Sequence, residues 1–291
     1  MPIGYYPGCS LESSAKEFDL SIRTVLKEME VTLQEIPDWN CCGASPAHSI
    51  NEELSLALPY RNLVQAEEAG MEKILSPCPA CYSSLKHVQD QLADASVGSW
   101  LKSVTGKGFR KSTKLRHLLD FLKEDLGLER LKSAMKESLQ GLKVVSYYGC
   151  LTRLPGVTFD DQENPVIMDE IITALGGEAL DWSHKTECCG ASLSVTRTDI
   201  ALRLGGSILQ AAQGKGAECI AVVCPLCQSN LDVRQGDVNK KYKSHYQIPI
   251  LYLSQLIGLT QGQGFAQLGI DRLIVSPQDV LLKRGIMKRG G

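Results

Sequence analysis

Ten of the eleven cysteines in this 291-residue chain fall into two sets with nearly the same spacing. The first set, Cys9, Cys41, Cys42, Cys78 and Cys81, reads C-x31-CC-x35-C-x2-C. The second, Cys150, Cys188, Cys189, Cys224 and Cys227, reads C-x37-CC-x34-C-x2-C. Corresponding cysteines lie 141, 147, 147, 146 and 146 residues apart. Near-constant offsets over five positions are an internal repeat, so one fold must serve both halves. The flanking text agrees. CCGAS occurs at 41–45 and again at 188–192, Tyr6-Pro7-Gly8-Cys9 parallels Tyr147-Tyr148-Gly149-Cys150, and CPACYSSL (78–85) parallels CPLCQSNL (224–231). Cys219 has no counterpart; its neighbours, CIAVV, read as a buried strand and make it a core thiol.

Each half carries the same order of patterns. Apolar segments at 3–6 and 143–148 precede the first cysteine, and helical periodicity follows over 17–29 and 166–175. Short strand-like runs at 32–36 and 178–181 lead to the two CCGAS strings. Helices over 52–69 and 198–213 come next, then strands at 73–75 and 219–223 that run into CPxC, which itself opens a helix. Strands alternating with helices predict an α/β fold of two duplicated domains with mostly parallel sheets. Such folds place ligands in loops at strand ends, where these cysteines fall. The expected division is an N-terminal domain with a basic linker over 1–140 and a C-terminal domain over 141–291. The segment 95–119 has no acid, carries Lys102, Lys107, Arg110, Lys111, Lys114, Arg116 and His117, and contains three glycines. It is expected to start the inter-repeat connection as a solvated loop, with helical segments near 115–126 and 131–139. Its other reading is a docking surface for an acidic partner or an anionic substrate. The basic C-terminal KRGIMKRGG reads as a mobile tail.

The net charge of −2 gives no reason to expect nucleic acid. The start, MPIGYYPGCS, lacks a basic region followed by an apolar stretch, and no apolar run is long enough to span a bilayer, so a cytoplasmic protein without direct membrane insertion is expected. Thiols are kept reduced in that compartment, so eleven cysteines point to metal binding or redox chemistry rather than to disulfides. A structural zinc site takes four ligands, which five cysteines overfill. A dithiol motif would use C-P-x-C and leave three cysteines of each repeat idle. A disulfide within each CC pair would be strained. Iron–sulfur clusters remain, held by cysteine thiolates, usually four per cluster. Five per half means one spare thiol or an enlarged cluster. The glycines beside the cysteines, at 8, 43, 149 and 190, allow tight turns and close approach of a bulky inorganic group.

The doubled motif resembles the cysteine-rich CCG domain, and a chain made of two such domains resembles the B subunit of heterodisulfide reductase. The likeness runs from YYPGC at the start, through FDDQENP at 159–165, to the IDRLIVSP text at 270–277. The chain lacks the C-x2-C-x2-C-x3-C-P run of ferredoxin-fused relatives. The resemblance implies a non-cubane [4Fe-4S] type of cluster in each domain with all five motif cysteines as ligands. Cys9, Cys41, Cys42, Cys78 and Cys81 would hold one, and Cys150, Cys188, Cys189, Cys224 and Cys227 the other. It also implies reduction of a disulfide, of the CoM-S-S-CoB type or another thiol pair, between the two clusters. Electrons would arrive from a ferredoxin-like C subunit and a flavin-containing A subunit of the same complex. The alternative is a non-catalytic electron-transfer subunit of a larger redox complex. Proton donors are poorly marked. His48 and His184 are weak candidates without counterparts in the other half, and the repeated Tyr6 and Tyr147 are expected either to donate a hydrogen bond near each site or to pack beside the strand.

Overall fold

A computed structural model of the chain describes residues 3–44, 46–110 and 113–286, without the side chains of Pro46 and His48. Eight short strands form two four-stranded sheets. Strands β1 (Ile3–Tyr5), β2 (Leu33–Glu35), β3 (Lys73–Ser76) and β4 (Lys114–His117) lie in the order β2-β1-β3-β4. Strands β5 (Lys143–Tyr147), β6 (Glu178–Ala179), β7 (Cys219–Val222) and β8 (Ile250–Tyr252) repeat that order as β6-β5-β7-β8. Every pairing is parallel. Parallel neighbours need crossover helices, and those helices cover the faces, so the central strands are largely buried, their lysines confined to the first position of β3 and β5. All four residues of β7 are buried, Cys219 among them, in keeping with a core thiol.

The order of each sheet fixes where a ligand can sit. The chain runs from the central β1 outward to β2, then crosses to β3 on the other side, and the second half does the same from β5. The crevice between the central strand and its later neighbour is the topological switch point, where loops after the strands diverge and leave room. Cys9 follows β1 and Cys78 follows β3; Cys150 follows β5 and Cys224 follows β7.

The helices over Lys16–Glu28 and Ile167–Ala174 carry the two halves' first crossovers. The former buries Phe18, Ser21, Ile22, Val25 and Leu26, a helical stripe that faces the other half as well as its own sheet. Ser21 Oγ lies 2.6 Å from Ser254 Oγ, Thr24 Oγ1 donates to the Gln267 carbonyl at 3.0 Å, and Gln261 Nε2 donates to the Val25 carbonyl at 3.3 Å. Lys123 and Glu170 form an ion pair across the same boundary at 3.0 Å.

Two aromatic stacks tie the halves together reciprocally. Phe18 stacks on Tyr252 with centroids 4.1 Å apart, and Phe159 stacks on His117 at 5.3 Å, both with nearly parallel rings. Phe159 lies 141 residues after Phe18, the offset of the two first cysteines. His117 ends β4 beside Ser76, and Tyr252 ends β8 beside Val222, which is 146 residues after Ser76. Each half therefore offers its last-strand ring to the other half's phenylalanine, as a pseudo-two-fold relation requires.

The segment 95–119 departs from the expected loop. Ala95–Thr105 is a helix whose N-cap Asp94 accepts from the Ser96 N–H at 2.8 Å, and Gly106 ends it in the left-handed conformation (φ 74°). Strand β4 then completes the first sheet, with Leu115 and His117 inward. Glycine at 106 is a stop signal rather than a disruption, and a four-residue basic strand shows too little alternation to read as one. Several of the segment's charges are neutralised at home: Lys107 pairs with Glu68 at 2.6 Å, and Arg116 pairs with Asp120 and Asp125, each at 2.8 Å. After β4 the chain forms a short helix, Leu118–Asp120, a π-helical turn over Phe121–Leu126, and a helix, Leu128–Ser133. Lys111 and residues 287–291 of the basic tail lie outside the described residues.

Candidate functional site

In each half three loops carry thiols to one end of the sheet. Cys41 Sγ lies 3.7 Å from Cys9 Sγ, and Cys42 Sγ lies 3.5 Å from Cys81 Sγ. Cys78 and Cys81 also share a sulfur hydrogen bond. In the second half Cys189 Sγ is 3.5 Å from Cys227 Sγ, and Cys227 bonds Cys224. Cys150 feels the charges of Cys224, Cys188 and Cys189. The ten cysteines thus gather into two groups of five, and every cysteine is a free thiol. Among the described residues, no three His, Cys, Asp or Glu side chains converge on the position of a single metal ion. The thiols meet in pairs instead.

The CCGA backbone explains why two cysteines stand together. Gly43 and Gly190 adopt the left-handed conformation (φ 74° and 77°), which turns successive N–H groups back toward the preceding side chains. Gly43 N–H donates to Cys41 Sγ at 3.5 Å, and Gly190 N–H to Cys188 Sγ at 3.3 Å. The next amides, of Ala44 and Ala191, bond Cys42 and Cys189. Both sulfurs of each pair therefore receive a backbone donor two residues on, and at Cys42 and Cys189 that donor favours the thiolate.

CPxC uses a helix start. Cys78 and Cys224 are the N-caps of the helices Pro79–Gln91 and Pro225–Val233, with proline at the first helical position. The free amides of Ala80 and Cys81 bond Cys78. The glycines make room mainly for protein. A Cβ at Gly8 would lie 2.7 Å from Cys81 Sγ, while one at Gly190 would lie 3.1 Å from Ala201 Cα in the following helix. At these positions the absence of a side chain admits close packing of a thiol and of the following helix.

The titration pattern follows from these contacts. Sulfur hydrogen bonds from Cys41 and Cys81 lower Cys42, the bond from Cys81 lowers Cys78, and the bond from Cys227 brings Cys189 down to about 7. Their partners Cys41, Cys81 and Cys227 are pushed up. Burial, then the neighbouring thiolates, raises Cys150 to about 11.

Tyr6 and Tyr147 do what their repetition allowed. Tyr6 Oη donates to the Asn40 carbonyl at 2.8 Å, and Tyr147 Oη to the Glu187 carbonyl at 2.6 Å. Both acceptors immediately precede the CC pair. Each ring is also buried beside its strand, so the residue both packs and positions. His184 stacks on the buried Trp182 at 5.8 Å and shares a 3.3 Å contact with Ser207 Oγ; its ring is held by these neighbours. The side chain of His48 lies outside the described residues.

Other residues around the sites had no readable signal. Asn62 is fully buried and bonds both the N–H and the carbonyl of Asn40, fixing the turn into Cys41. In the second half Asn230 Nδ2 donates to the Cys189 carbonyl at 2.9 Å. At the matching place in the first half, Ser84 bonds the Cys42 sulfur instead. Lys185 is buried, pairs with Asp169 at 2.7 Å, and accepts from the Tyr148 and Gly149 amides through its own carbonyl. It thereby locks the turn that presents Cys150. The FDDQENP segment serves the same lock: Asn164 Oδ1 accepts from Lys185 Nζ, and Asp160 caps the helix at Val166 and Ile167.

The donor set fits an iron–sulfur cluster in each half. It consists of thiols alone, arrives on three separate loops, and is supplied with N–H donors that hold sulfur as thiolate.

A family model described as CCG, a cysteine-rich domain, matches residues 3–86 and 144–232. The membrane anchor protein of the 8-methylmenaquinol:fumarate reductase of Wolinella succinogenes is 32% identical over 276 residues, covering 93% of this chain and 96% of that one. The B subunit of the ferredoxin/F(420)H(2)-dependent CoB-CoM heterodisulfide reductase of Methanosarcina acetivorans is 32% identical over 291 residues, covering 97% of this chain and 96% of that one. A protein of Archaeoglobus profundus described as like the heterodisulfide reductase B subunit is 28% identical over 295 residues, with 97% of each chain covered. Among solved structures, a hypothetical protein from Helicobacter pylori superposes with a TM-score of 0.77 at 14% identity; the match covers 94% of this chain and 52% of that one, and shares the fold. Among the described residues no helix is long and apolar enough to cross a membrane. Two matches to one domain model, together with likeness along nearly the whole chain, place it: the chain belongs to the CCG cysteine-rich domain family, in the two-domain group that includes the B subunit of heterodisulfide reductase.

Proposed function

We propose that this chain is the iron–sulfur subunit of a heterodisulfide reductase-like complex that reduces a disulfide to two thiols. Cys9, Cys41, Cys42, Cys78 and Cys81 hold one cluster, and Cys150, Cys188, Cys189, Cys224 and Cys227 hold the other. Both clusters are of the non-cubane [4Fe-4S] kind. Such groups supply one-electron transfer and iron positions with affinity for thiolate. The observation that carries the reading is the duplication of a complete five-thiol set on two sheets joined by reciprocal stacking. Tyr252, at the joint, is within electrostatic range of both Cys78 and Cys224. A two-electron substrate with two sulfur halves suits a site that is itself double.

Within that scheme the protein's residues have defined tasks. The CCGA amides and the helix starts at CPxC hold sulfur as thiolate. Tyr6 and Tyr147 set the direction of each CC pair. A ferredoxin-like partner delivers electrons that originate in a flavin-containing one, as the likeness to the heterodisulfide reductase B subunit implies. The complex works in the cytoplasm.

A second reading rests on a specific relative. The Wolinella protein is named as part of a fumarate reductase, so the same two-domain chain also suits a non-catalytic electron-transfer role. One experiment separates the two. The protein is purified anaerobically, its iron and sulfide are counted, and EPR spectra are recorded after oxidation with candidate thiols present. Two clusters and a thiol-dependent paramagnetic signal are expected. About four irons in total would remove the two-cluster scheme, and two clusters without any thiol-dependent signal would leave electron transfer as the role.

A further inference from the structure

Reducing a disulfide to two thiols consumes two electrons and two protons, yet His184 is engaged by Trp182 and Ser207 rather than by any thiol. The joint between the halves holds a different proton carrier. Tyr252 ends β8, fully buried, with its ring stacked on Phe18. Its Oη lies 3.4 Å from Glu17 Oε1. At the matching place in the first half, the buried His117 accepts the Leu119 N–H at Nδ1, so its proton sits on Nε2 toward the Pro77 backbone, and burial keeps the ring from taking a second. The pseudo-symmetry is broken: of the two rings, Tyr252 is the one paired with a carboxyl that can take up a proton.

We propose that Glu17 and Tyr252 form a proton-holding pair that couples electron uptake at the two cysteine sites to proton uptake from solvent. This rests on the function proposed above. Glu17 is half-buried, so its carboxylate meets solvent on one side and Tyr252 on the other. Burial raises its pKa, Arg272 opposes that rise, and Asp232 adds to it. On the Tyr252 side the facing charges are Glu17, Cys224 and Cys78. An electron added to either thiol-held group makes the joint more negative and raises the proton affinity of Glu17 further. Water supplies that proton, and the electron comes from the iron–sulfur partner, or from dithionite in a titration. When a product thiolate forms, the proton of its S–H bond is drawn from the Glu17 carboxylic acid, and Tyr252, which lies 3.4 Å from that carboxyl and pairs with Val222 two residues before Cys224, sits beside the second cysteine set. The net donor is the carboxylic acid, so the weak acidity of a buried phenol is no obstacle. The second proton follows by recharging Glu17 from solvent.

The test uses the anaerobically purified, cluster-loaded full chain. Reduction by dithionite is followed by EPR between about pH 5 and pH 9 for the wild type, Glu17→Gln, Glu17→Asp, Arg272→Met and Tyr252→Phe. In the wild type the reduction equilibrium should weaken as pH rises, by up to tenfold per unit. Glu17→Gln should abolish this dependence, and Glu17→Asp should keep it. Arg272→Met, at an exposed position, should move its onset to higher pH, and this variant decides the matter if Glu17→Gln loads no iron. Tyr252→Phe keeps the stack on Phe18 and should load iron normally, but should form thiol at least tenfold more slowly. A wild-type pH dependence in both Glu17→Gln and Arg272→Met would overturn the pairing. A wild-type protein that reduces no disulfide, but keeps a Glu17-dependent slope, would sink the disulfide reading and leave the proton coupling standing.

Discussion

At the scale of single residues, the two sites depend on small polar contacts that orient backbone. Tyr6 and Tyr147 each satisfy the carbonyl that enters a CC pair, and each is too deep for water to replace its hydroxyl. Replacing Tyr147 by Phe should cost about 1 kcal/mol, the net contribution of one part-buried hydrogen bond. Because the acceptor adjoins Cys188, iron content in the second half should fall before global stability does, which comparison of iron analysis with thermal unfolding will show. His117 gives a prediction with a sign. Burial depresses its pKa to about 3, below the usual 6.5. The unfolded chain therefore binds a proton between those values that the folded chain refuses. Stability from this group is intact above about pH 6.5 and falls as pH drops toward 3. His117→Phe preserves an aromatic ring against Phe159 and should flatten that limb; an unchanged acid limb in denaturant melts at several pH values would assign it to other groups.

Among the elements, those that carry the cysteines were legible and those that join the halves were not. CCGAS and CPxC announce a left-handed turn and a helix start, because glycine and proline each dictate local backbone, and the strands before them are apolar enough to recognise. Strands β4 and β8 are three or four residues long, and β4 reads KLRH. Nothing in such a run distinguishes a strand from a basic linker until its pairing with β3 is seen. The same holds for Tyr252 and Glu17, which lie 235 residues apart and have no motif. Gly8 is the sharpest test at this scale. It sits at φ 72° with Cys81 Sγ 2.7 Å from where a Cβ would be. Gly8→Ala should displace the Cys81 thiol and strain the turn by on the order of 1–2 kcal/mol. The expected outcome is loss of iron from the first half alone, with the second half's EPR signal retained. Gly70 has the same backbone sign (φ 72°) but nothing within 4 Å of where a Cβ would be, so Gly70→Ala should cost strain without losing iron.

Over the whole molecule, duplication supplies the frame and divergence supplies the direction. The halves share strand order, thiol spacing and reciprocal stacks, but each anchors its site with different residues. Asn62 holds the first CC turn, where the second half has Leu209; Lys185 holds the turn that presents Cys150, and at its place the first half has Asp38 on the surface, paired to Arg61. Two sites built on one frame with unlike supports will differ in stability and in redox behaviour. What holds the two halves against each other is the joint through Phe18 and Phe159. Truncation of the fully buried Phe18 to Ala should cost about 3 kcal/mol, and truncation of the half-buried Phe159 less. The two positions lie on opposite halves but serve one interface, so their effects need not add. If the joint makes the halves unfold together, the wild type should melt in a single transition. The Phe18→Ala, Phe159→Ala double variant should then resolve into two transitions by calorimetry, one for each sheet. A single sharp transition in the double variant would mean that the polar contacts through Ser21, Thr24 and Gln261 suffice to couple the halves, and that the stacks serve only to place Tyr252 and His117.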